Sequence, residues 1–269
     1  MQKIGLIFLL LFCLIYNAES QEFMLRNNLI SSINSSVVQK NVWSVLSNQA
    51  GLGYVDRASV GLAYNNRFFL KELSEQKFAF CYPLRFATAA VSYTRFGFDN
   101  YNENSVAIAF GKKINNILSI GMQMNYLWYF IADNYGSHGM LIMEFGVLSE
   151  PIKGFMIGVH LFNPFSTGFH EDINENGSII YKFGLGINKL KDLFIELETT
   201  LEINNPICFK LNVEYNLVKG FFLKTGIQNN PVGNFFGGGF IKDKLRFDIG
   251  FINHQVLGLS PELCLIYSF

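Results

Sequence analysis

Bulky apolar residues alternate with small or polar residues along most of this chain. In residues 118–128 the apolar side chains take the even positions, and Ser119, Gly121 and Gln123 stand between them. Residues 209–217 repeat the pattern with the apolar side chains on odd positions. A period of two predicts β-strands whose two sides meet different surroundings.

From about residue 58 the pattern divides into segments of roughly ten residues, which is the length that a tilted strand needs to cross a bilayer. Stretches of turn-forming residues separate these segments. We predict fourteen strands, with bounds near 58–70, 76–84, 88–98, 105–113, 117–130, 139–148, 154–163, 178–188, 193–202, 207–217, 221–229, 234–242, 245–254 and 259–269.

Two architectures produce this alternation: a soluble sandwich with an apolar core, and a membrane barrel with an apolar exterior. The side opposite the apolar residues is often Gly, Ala, Ser, Asn or Gln, which suits a crowded lumen better than a water-exposed sheet. Aromatic residues also collect at segment ends, as in residues 126–130, which fits interfacial girdles. Arg95 is an exception, because it falls in phase with Val91 and Tyr93. We expect an all-β fold, a fourteen-stranded antiparallel transmembrane β-barrel over residues 58–269.

The connections between segments also alternate in character. Those after odd-numbered segments include the polar stretches 99–103 and 169–177 and the irregular 131–138, whereas those after even-numbered segments, such as 112–116, are mostly tight turns. Long loops at one end and short turns at the other are typical of outer-membrane barrels. The last strand would pair with the first, so that no edge remains.

The N-terminus has the layout of a secretory signal peptide. Lys3 precedes an apolar run over residues 4–16, and Ala18 and Ser20 suit a cleavage site after residue 20. A membrane anchor is disfavoured because a helix needs about 20 apolar residues to cross the hydrocarbon. A lipoprotein signal is disfavoured because Cys13 lies inside the apolar run. We therefore assign residues 1–20 to the signal and expect the bacterial outer membrane as the location.

Charge and cysteine content exclude several functions. The chain has 21 Lys and Arg residues and 21 Asp and Glu residues, so its net charge is zero. No excess of positive charge therefore indicates nucleic acid as a partner. The mature chain keeps Cys81, Cys208 and Cys264, which are too few for a disulfide scaffold and lack metal-ligand spacing. We interpret them as small residues lining the barrel, and we expect no cofactor or metal.

Catalysis also receives little support from the sequence. His160 is expected to point into the lumen, His138 and His170 fall in predicted loops, and His254 ends a segment. No Ser/His/Asp grouping can be assembled from them. We do not expect an enzyme.

Residues 21–57 do not alternate, and we expect them to form a plug inside the barrel. Ser36 and Asn41 are candidate helix caps, and residues 42–46 form a short apolar run that includes Trp43. The segment is too short to fold independently. Its apolar side chains have no other core to join.

Residues 42–55, VWSVLSNQAGLGYV, resemble the N-terminal hatch of the long-chain fatty acid transporter (FadL-like) family. Asn48, Gln49 and Ala50 occupy the family's Asn-Pro-Ala motif, with Gln49 in place of the proline. The resemblance implies fourteen strands and a gate built from Trp43, Asn48, Gln49, Ala50 and Gly51.

The mature chain also resembles the PorV/PorQ-like accessory barrels of type IX secretion. The stretches NQAGL, NRFFLKELS, FGFDNYNE and HQVLGLSPE carry this likeness, which likewise implies fourteen strands. The terminal aromatics Tyr267 and Phe269 resemble the signal that barrel insertion machinery recognises.

Charges on the predicted lumen side concentrate late in the chain. They either line a polar path, or hold the hatch, or pair with one another to fill the interior, because ionisable groups at membrane depth need partners. These residues are Glu196, Glu198, Lys210, Glu214, Lys224, Arg246, Asp248 and Glu262.

Two shorter motifs each allow two interpretations. Gly237, Gly238 and Gly239 mark either a barrel bend or bulge, or a kink that opens the wall, a feature associated with fatty acid transporters. Residues 172–177, DINENG, have the spacing of a calcium loop, but Phe183 stands where the bidentate Glu belongs, which favours a plain polar loop.

We therefore expect passive passage of hydrophobic or amphiphilic small molecules, with the Gly237–Gly239 kink as an exit. The alternative is a barrel that docks a secretion or surface-attachment partner. The expected partners are outer-membrane lipid, the insertion machinery, and either a hydrophobic small molecule or a secretion component.

Overall fold

The chain forms a closed antiparallel β-barrel of fourteen strands, as predicted. The computed structural model describes residues 36–132, 136–167, 178–190, 192–203 and 205–269. The strands are β1 Ser59–Asn66, β2 Ser74–Pro83, β3 Thr88–Phe98, β4 Tyr101–Lys113, β5 Leu118–Ile131, β6 Gly136–Ile152, β7 Phe155–Phe162, β8 Ile180–Leu190, β9 Leu193–Glu202, β10 Cys208–Val218, β11 Phe221–Asn229, β12 Val232–Lys242, β13 Leu245–His254 and β14 Gly258–Ser268.

Each strand pairs with its neighbours in the chain, and β14 returns to pair with β1. Ser59 lies opposite Ser268 in that closing ladder. The backbone N–H of Phe269 donates to the carbonyl of Ala58 at 2.9 Å and extends the seam by one residue. Closure leaves every strand with two partners, which a sheet at membrane depth requires.

The exterior of the barrel is apolar. Large side chains such as Leu62, Ile108 and Leu223 are about half exposed, while the residues between them are mostly buried in the interior. This distribution is that of a transmembrane barrel, whose outward face meets lipid. Tyr267 and Phe269 belong to the outward face, and their rings meet edge to face with centroids 5.1 Å apart.

The two ends of the barrel differ. At one end, which also holds the start of β1 and the end of β14, the connections are turns of two to four residues; we call it the turn end. The other end, the loop end, carries the long connections 67–73 and 163–179. Two predicted loops there are shorter than expected. Residues 101–103 belong to β4 and residues 136–138 to β6, so His138 is a strand residue.

The predicted first strand, 58–70, is too long. β1 ends at Asn66, and short 3₁₀ turns Arg67–Phe69 and Lys71–Leu73 follow. Phe68 and Phe69 adopt positive φ angles of 56° and 59°. The N–H of Phe68 donates to Ser260 Oγ at 3.0 Å, which draws the chain across the loop end rather than onward in a strand.

Several predictions fall on residues outside the described part of the chain. They are the signal peptide at 1–20, the start of the plug, the calcium-like stretch 172–177 and His170. No helix among the described residues is long and apolar enough to span a membrane.

Candidate functional site: a plugged lumen in three tiers

Residues 36–57 lead into β1, and those up to Tyr54 occupy the turn-end half of the lumen as a plug. It contains two short 3₁₀ helices, Val42–Leu46 and Gln49–Tyr54. The Asn41 side chain accepts from the N–H of Trp43 at 2.9 Å and caps the first helix, as predicted. Ser36 caps no helix and instead donates to Glu196 on β9.

Asn48 connects the plug to the wall. Its Oδ1 accepts from the N–H of Ala50 at 3.1 Å, so that Asn48 caps the second helix. Its Nδ2 donates to the carbonyl of Val37 at 2.8 Å and to the carbonyl of Val147 on β6 at 3.1 Å. The fully buried side-chain amide of Asn48 therefore caps the second helix and ties it both to the N-terminal turn of the plug and to strand β6.

Gln49, which stands where the fatty acid transporter motif has proline, makes a second connection. Its Nε2 donates to Glu144 Oε2 at 2.8 Å and lies 3.3 Å from Gln123 Oε1. The carbonyl of Ala50 accepts from Ser119 Oγ at 2.7 Å, and the N–H of Gly51 donates to the carbonyl of Asn48 at 2.9 Å. Of the predicted gate residues, Asn48, Gln49 and Ala50 thus form one contact region between the plug and β5–β6.

Inward glycines on the wall form the surface against which the plug rests, and we call them the glycine tier. A Cβ at Gly158 would come within 2.6 Å of the Val37 carbonyl, and one at Gly61 within 2.8 Å of the Trp43 ring. The plug backbone can approach the strands this closely only because these positions lack a side chain. The glycine tier comprises Gly61, Gly111, Gly121, Gly146, Gly158 and Gly184.

A polar tier lies next to the glycine tier on the loop-end side of β5–β8. Glu144 is its centre, because it also meets His160 Nε2 at 2.8 Å and accepts from the side-chain amide of Asn125. Gln123 and Lys182 complete the tier, and all of these side chains are buried. Buried charge at this depth requires such partners.

An apolar tier follows on the same strands and on β3, nearer the loop end. Its inward side chains form one buried cluster, and Leu73 from the β1–β2 connection packs against it. A water-filled porin lumen is polar at this position. The apolar tier comprises Phe96, Leu127, Ile142, Phe162 and Ile180.

Trp43 anchors the other side of the plug. It packs into a cluster with the inward side chains of Ala79, Cys81 and Cys264. Cys208 is also buried, and all three cysteines are free thiols. They are small lining residues, as the sequence indicated.

The plug is also held at its N-terminal part. The N–H of Val37 donates to Glu198 Oε2 at 3.0 Å. At the turn end Lys40 pairs with Glu150, and its ammonium lies 4.2 Å from the ring centroid of Tyr54. Burial and the Glu150 charge raise the pKa of the Tyr54 phenol.

The late lumen charges form two groups. Glu196, Glu198 and Lys210 are buried beside the plug's N-terminal turn, and Glu262 is buried on β14. The other four residues pair among themselves: Lys224 lies 2.8 Å from Asp248 and 3.7 Å from Glu214, and Arg246 lies 3.0 Å from Glu214 and 3.1 Å from Asp248. We call these four the β10–β13 tetrad.

Both ladders continue through Gly237, Gly238 and Gly239 with an unbroken register to β11 and β13. The structure therefore has neither a bulge nor an opening in the wall at the predicted kink. Phe222 lies opposite Gly239 in the ladder, and a Cβ at Gly239 would meet the Phe222 ring at 2.6 Å. An aromatic ring thus covers the glycine from inside the lumen.

His160 lies in the lumen, as expected from the sequence, but Glu144 was missed, because the lumen charges were assigned to the late strands. Glu144 stands in phase with Ile142 and Gly146, so strand phase alone could have found it. Glu75 and Glu103 are further early carboxylates in the lumen. Arg67 lies near both of them, and burial lowers the pKa of its guanidinium.

Among the described residues, no group of three or more His, Cys, Asp and Glu side chains could hold a metal ion. The arrangement instead combines an apolar cluster, a polar layer and a polypeptide plug. Such a lumen can bind an apolar molecule and control its passage without any covalent chemistry.

No protein-family model matches the chain. No curated protein matches its sequence. Solved structures do match its fold, at low sequence identity. The toluene transporter TbuX of Ralstonia pickettii is similar with a TM-score of 0.63 and 9% identity, and the match covers 89% of this chain and 96% of the transporter.

The toluene transporter TodX of Pseudomonas putida has a TM-score of 0.61 and 10% identity, and the match covers 88% of this chain and 95% of TodX. A Pseudomonas aeruginosa FadL homologue has a TM-score of 0.57 and 9% identity, with 87% of this chain and 95% of the homologue covered. The chain therefore has the fold of the transmembrane barrels to which these transporters belong.

Proposed function

We propose that this protein is an outer-membrane channel for passive passage of hydrophobic or amphiphilic small molecules. The observation that carries the proposal is the apolar tier, an inward cluster of large hydrocarbon side chains. In a porin the same part of the lumen is lined by polar side chains and filled with water. The likeness to toluene transporters and a FadL homologue favours the same class of cargo.

The tiers suggest an order of events. A molecule entering from the loop end first meets Phe96, Phe162 and their neighbours, where its apolar surface is removed from water. The polar tier and the plug then block the way to the turn end. Passage requires the contact between Gln49 and Glu144 to break, because that contact lies directly between the two halves of the lumen.

The experiment that tests this proposal measures uptake of a labelled alkylbenzene and a labelled long-chain fatty acid into cells that depend on the protein. We expect Ile142→Asn to reduce uptake, because an amide in the apolar tier lowers its affinity for hydrocarbon. A second variant, Phe162→Leu, keeps the tier apolar and is expected to retain most of the uptake.

Barrel content at the cell surface must be equal in all three strains. Equal uptake by wild type and Ile142→Asn, at equal barrel content, would contradict the proposal. The alternative of a barrel that docks a secretion or surface-attachment partner gains no support from the solved structures that share the fold.

A further inference from the structure

Arg95 is a charge on the outward face of the barrel. Thr94 and Phe96 beside it are buried in the lumen, whereas Tyr93 is exposed on the outside, and Arg95 shares the phase of Tyr93. Within the strands that the structure describes, it is the only charged outward side chain in the half nearer the loop end. Lys112 and Lys242, which are also outward, lie at the turn end.

The position of Arg95 is close to the membrane surface. It lies three residues before Phe98, the last residue of β3, so it sits roughly 10 Å from the strand end. Its guanidinium lies 3.5 Å from the carboxylate of Asp99, which is almost fully exposed. An arginine near the interface costs little, whereas one at the midplane costs about 2–4 kcal/mol.

Arg95 stands in a row of polar side chains that share the outward phase of their strands, and Asn104 in this row is itself buried. Gln76 of β2 is its cross-strand partner on one side, and Asn104 of β4 is its partner on the other. The Tyr93 hydroxyl donates to Asn104 Oδ1 at 2.9 Å, and Asn104 Nδ2 donates to Asn102 Oδ1 at 2.7 Å. The row places a guanidinium, amides and a phenol side by side at one height.

An apolar groove of about 360 Å³ runs along the outer wall next to this row. The volume is within the range of pockets that hold small ligands. The groove spans β13, β14, β1, β2 and β3, and Gln76, the cross-strand partner of Arg95, is part of its lining. Its lining includes Leu62, Tyr64, Gln76, Phe78, Tyr93 and Leu265.

We propose that this groove and polar row seat a phosphorylated glycolipid of the outer leaflet, such as lipid A. A phosphate would pair with Arg95, whose guanidinium fits phosphate oxygens through two parallel hydrogen bonds. Sugar hydroxyl groups would bind the amides of Gln76 and Asn102, and one acyl chain would fill the groove. The choice of leaflet rests on the outer-membrane placement, in which the loop end faces outward.

Lipid titration followed by native mass spectrometry of the full-length barrel in detergent tests the proposal. The probes are bisphosphorylated lipid A, lipid A with both phosphates removed, and phosphatidylglycerol. We expect wild type to bind the phosphorylated lipid A most tightly. Arg95→Gln removes the charge and both hydrogen bonds to the phosphate, so it is expected to weaken this binding by about tenfold or more and to leave binding of the dephosphorylated lipid unaffected.

Two further variants separate this site from general lipid adhesion. Lys112→Gln removes an outward charge at the turn end and is expected to leave the binding of lipid A unchanged. Leu62→Trp fills the groove, keeps Arg95 and is expected to weaken both forms of lipid A. Equal binding by wild type and Arg95→Gln would overturn the proposal. Equal affinity for phosphatidylglycerol would also overturn it, and so would an equal loss in Lys112→Gln. None of these readouts depends on transport.

Discussion

The side-chain amide of Gln49 donates a hydrogen bond to Glu144 across 2.8 Å and ties the plug to the barrel wall. Glu144 also meets His160, Asn125 and Gln123, so the contact from the plug completes a buried hydrogen-bond network. A network of this kind is stable only while its members remain paired. The plug is therefore held by polar contacts as well as by packing.

Gln49→Leu is expected to loosen the plug without unfolding the barrel. Removing a buried hydrogen bond to a charged group costs about 1.5–3 kcal/mol. Hydrogen exchange of the plug amides at residues 48–54 should speed up accordingly, and uptake of hydrophobic cargo should rise. Gln228→Leu removes an amide of β11 that donates to the Pro231 carbonyl, and it should leave the plug amides as slow as in wild type. Unchanged exchange in Gln49→Leu would show that the bond from Gln49 to Glu144 does not hold the plug in place.

Alanine at the glycine tier should displace the plug to a graded extent. A Cβ at Gly121 would run into the backbone of Gln49 and Ala50, whereas a Cβ at Gly184 would meet the Val37 side chain at 3.0 Å. A backbone cannot yield as a side chain can, so Gly121→Ala should expose the plug to protease and Gly184→Ala should do so much less. Limited proteolysis of the folded barrel in detergent measures this. Equal protection in both variants would show that the glycine tier does not position the plug.

Breaking the β10–β13 tetrad should destabilise the barrel. Asp248→Asn removes the charge that Lys224 meets at 2.8 Å, and removing one partner of a buried pair costs about 3–5 kcal/mol. Urea unfolding in lipid vesicles should show a loss of unfolding free energy near the lower end of this range, because the carboxylate of Glu214 remains beside the two cations. Glu214 is more exposed than Asp248, so Glu214→Gln should lower the free energy of unfolding by less than Asp248→Asn does. The opposite ranking would contradict the pairing of these four side chains.

Phe222→Ala should destabilise the barrel more than Phe221→Ala. Phe222 is buried over Gly239 and between the cations of the tetrad, with the Arg246 guanidinium 4.3 Å from its ring centroid. Large-to-small changes of buried phenylalanine cost about 3–5 kcal/mol. Phe221 faces lipid and is 57% exposed, so its truncation opens no cavity. Denaturant midpoints of the two variants give the comparison.

Phe269→Ser should slow barrel insertion. The Phe269 ring lies on the outward face beside Tyr267, and its backbone N–H bonds to the Ala58 carbonyl, so this residue belongs to the seam that closes the barrel. Folding into vesicles, followed by the heat-dependent gel shift of barrels, gives the rate. Ser268→Ala changes the neighbouring inward residue and should insert at the wild-type rate. An equal rate for Phe269→Ser would remove the case for a terminal aromatic signal.

The strands could be predicted because each one carries its own evidence. The alternation of Leu245, Phe247 and Ile249 with Arg246 and Asp248 is visible in the local sequence alone. The predicted bounds 245–254 match β13. The end of β1 could not be predicted this way, since residues 68–70 are apolar and continue the run in sequence. Its end depends on a hydrogen bond to Ser260, which is distant in the chain.

The site was predictable only in part, for the same reason. Asn48 and Gln49 were recognised by their motif, but the motif does not state which wall residue each one meets. Glu144 becomes a central residue only when barrel closure places it opposite Gln49. The register at Gly237–Gly239 likewise depends on the partners across the ladder, where Phe222 fills the space that a kink would have left open.

The absence of side chains in the glycine tier has an evolutionary consequence. The plug occupies space that side chains at Gly146 or Gly158 would otherwise fill, so neither surface can change alone. A larger residue in the wall would demand a smaller one at Val37 or a shift at Asn48, and the reverse also holds. In related chains these distant positions should vary together, although the segments that carry them are separated by about a hundred residues of sequence.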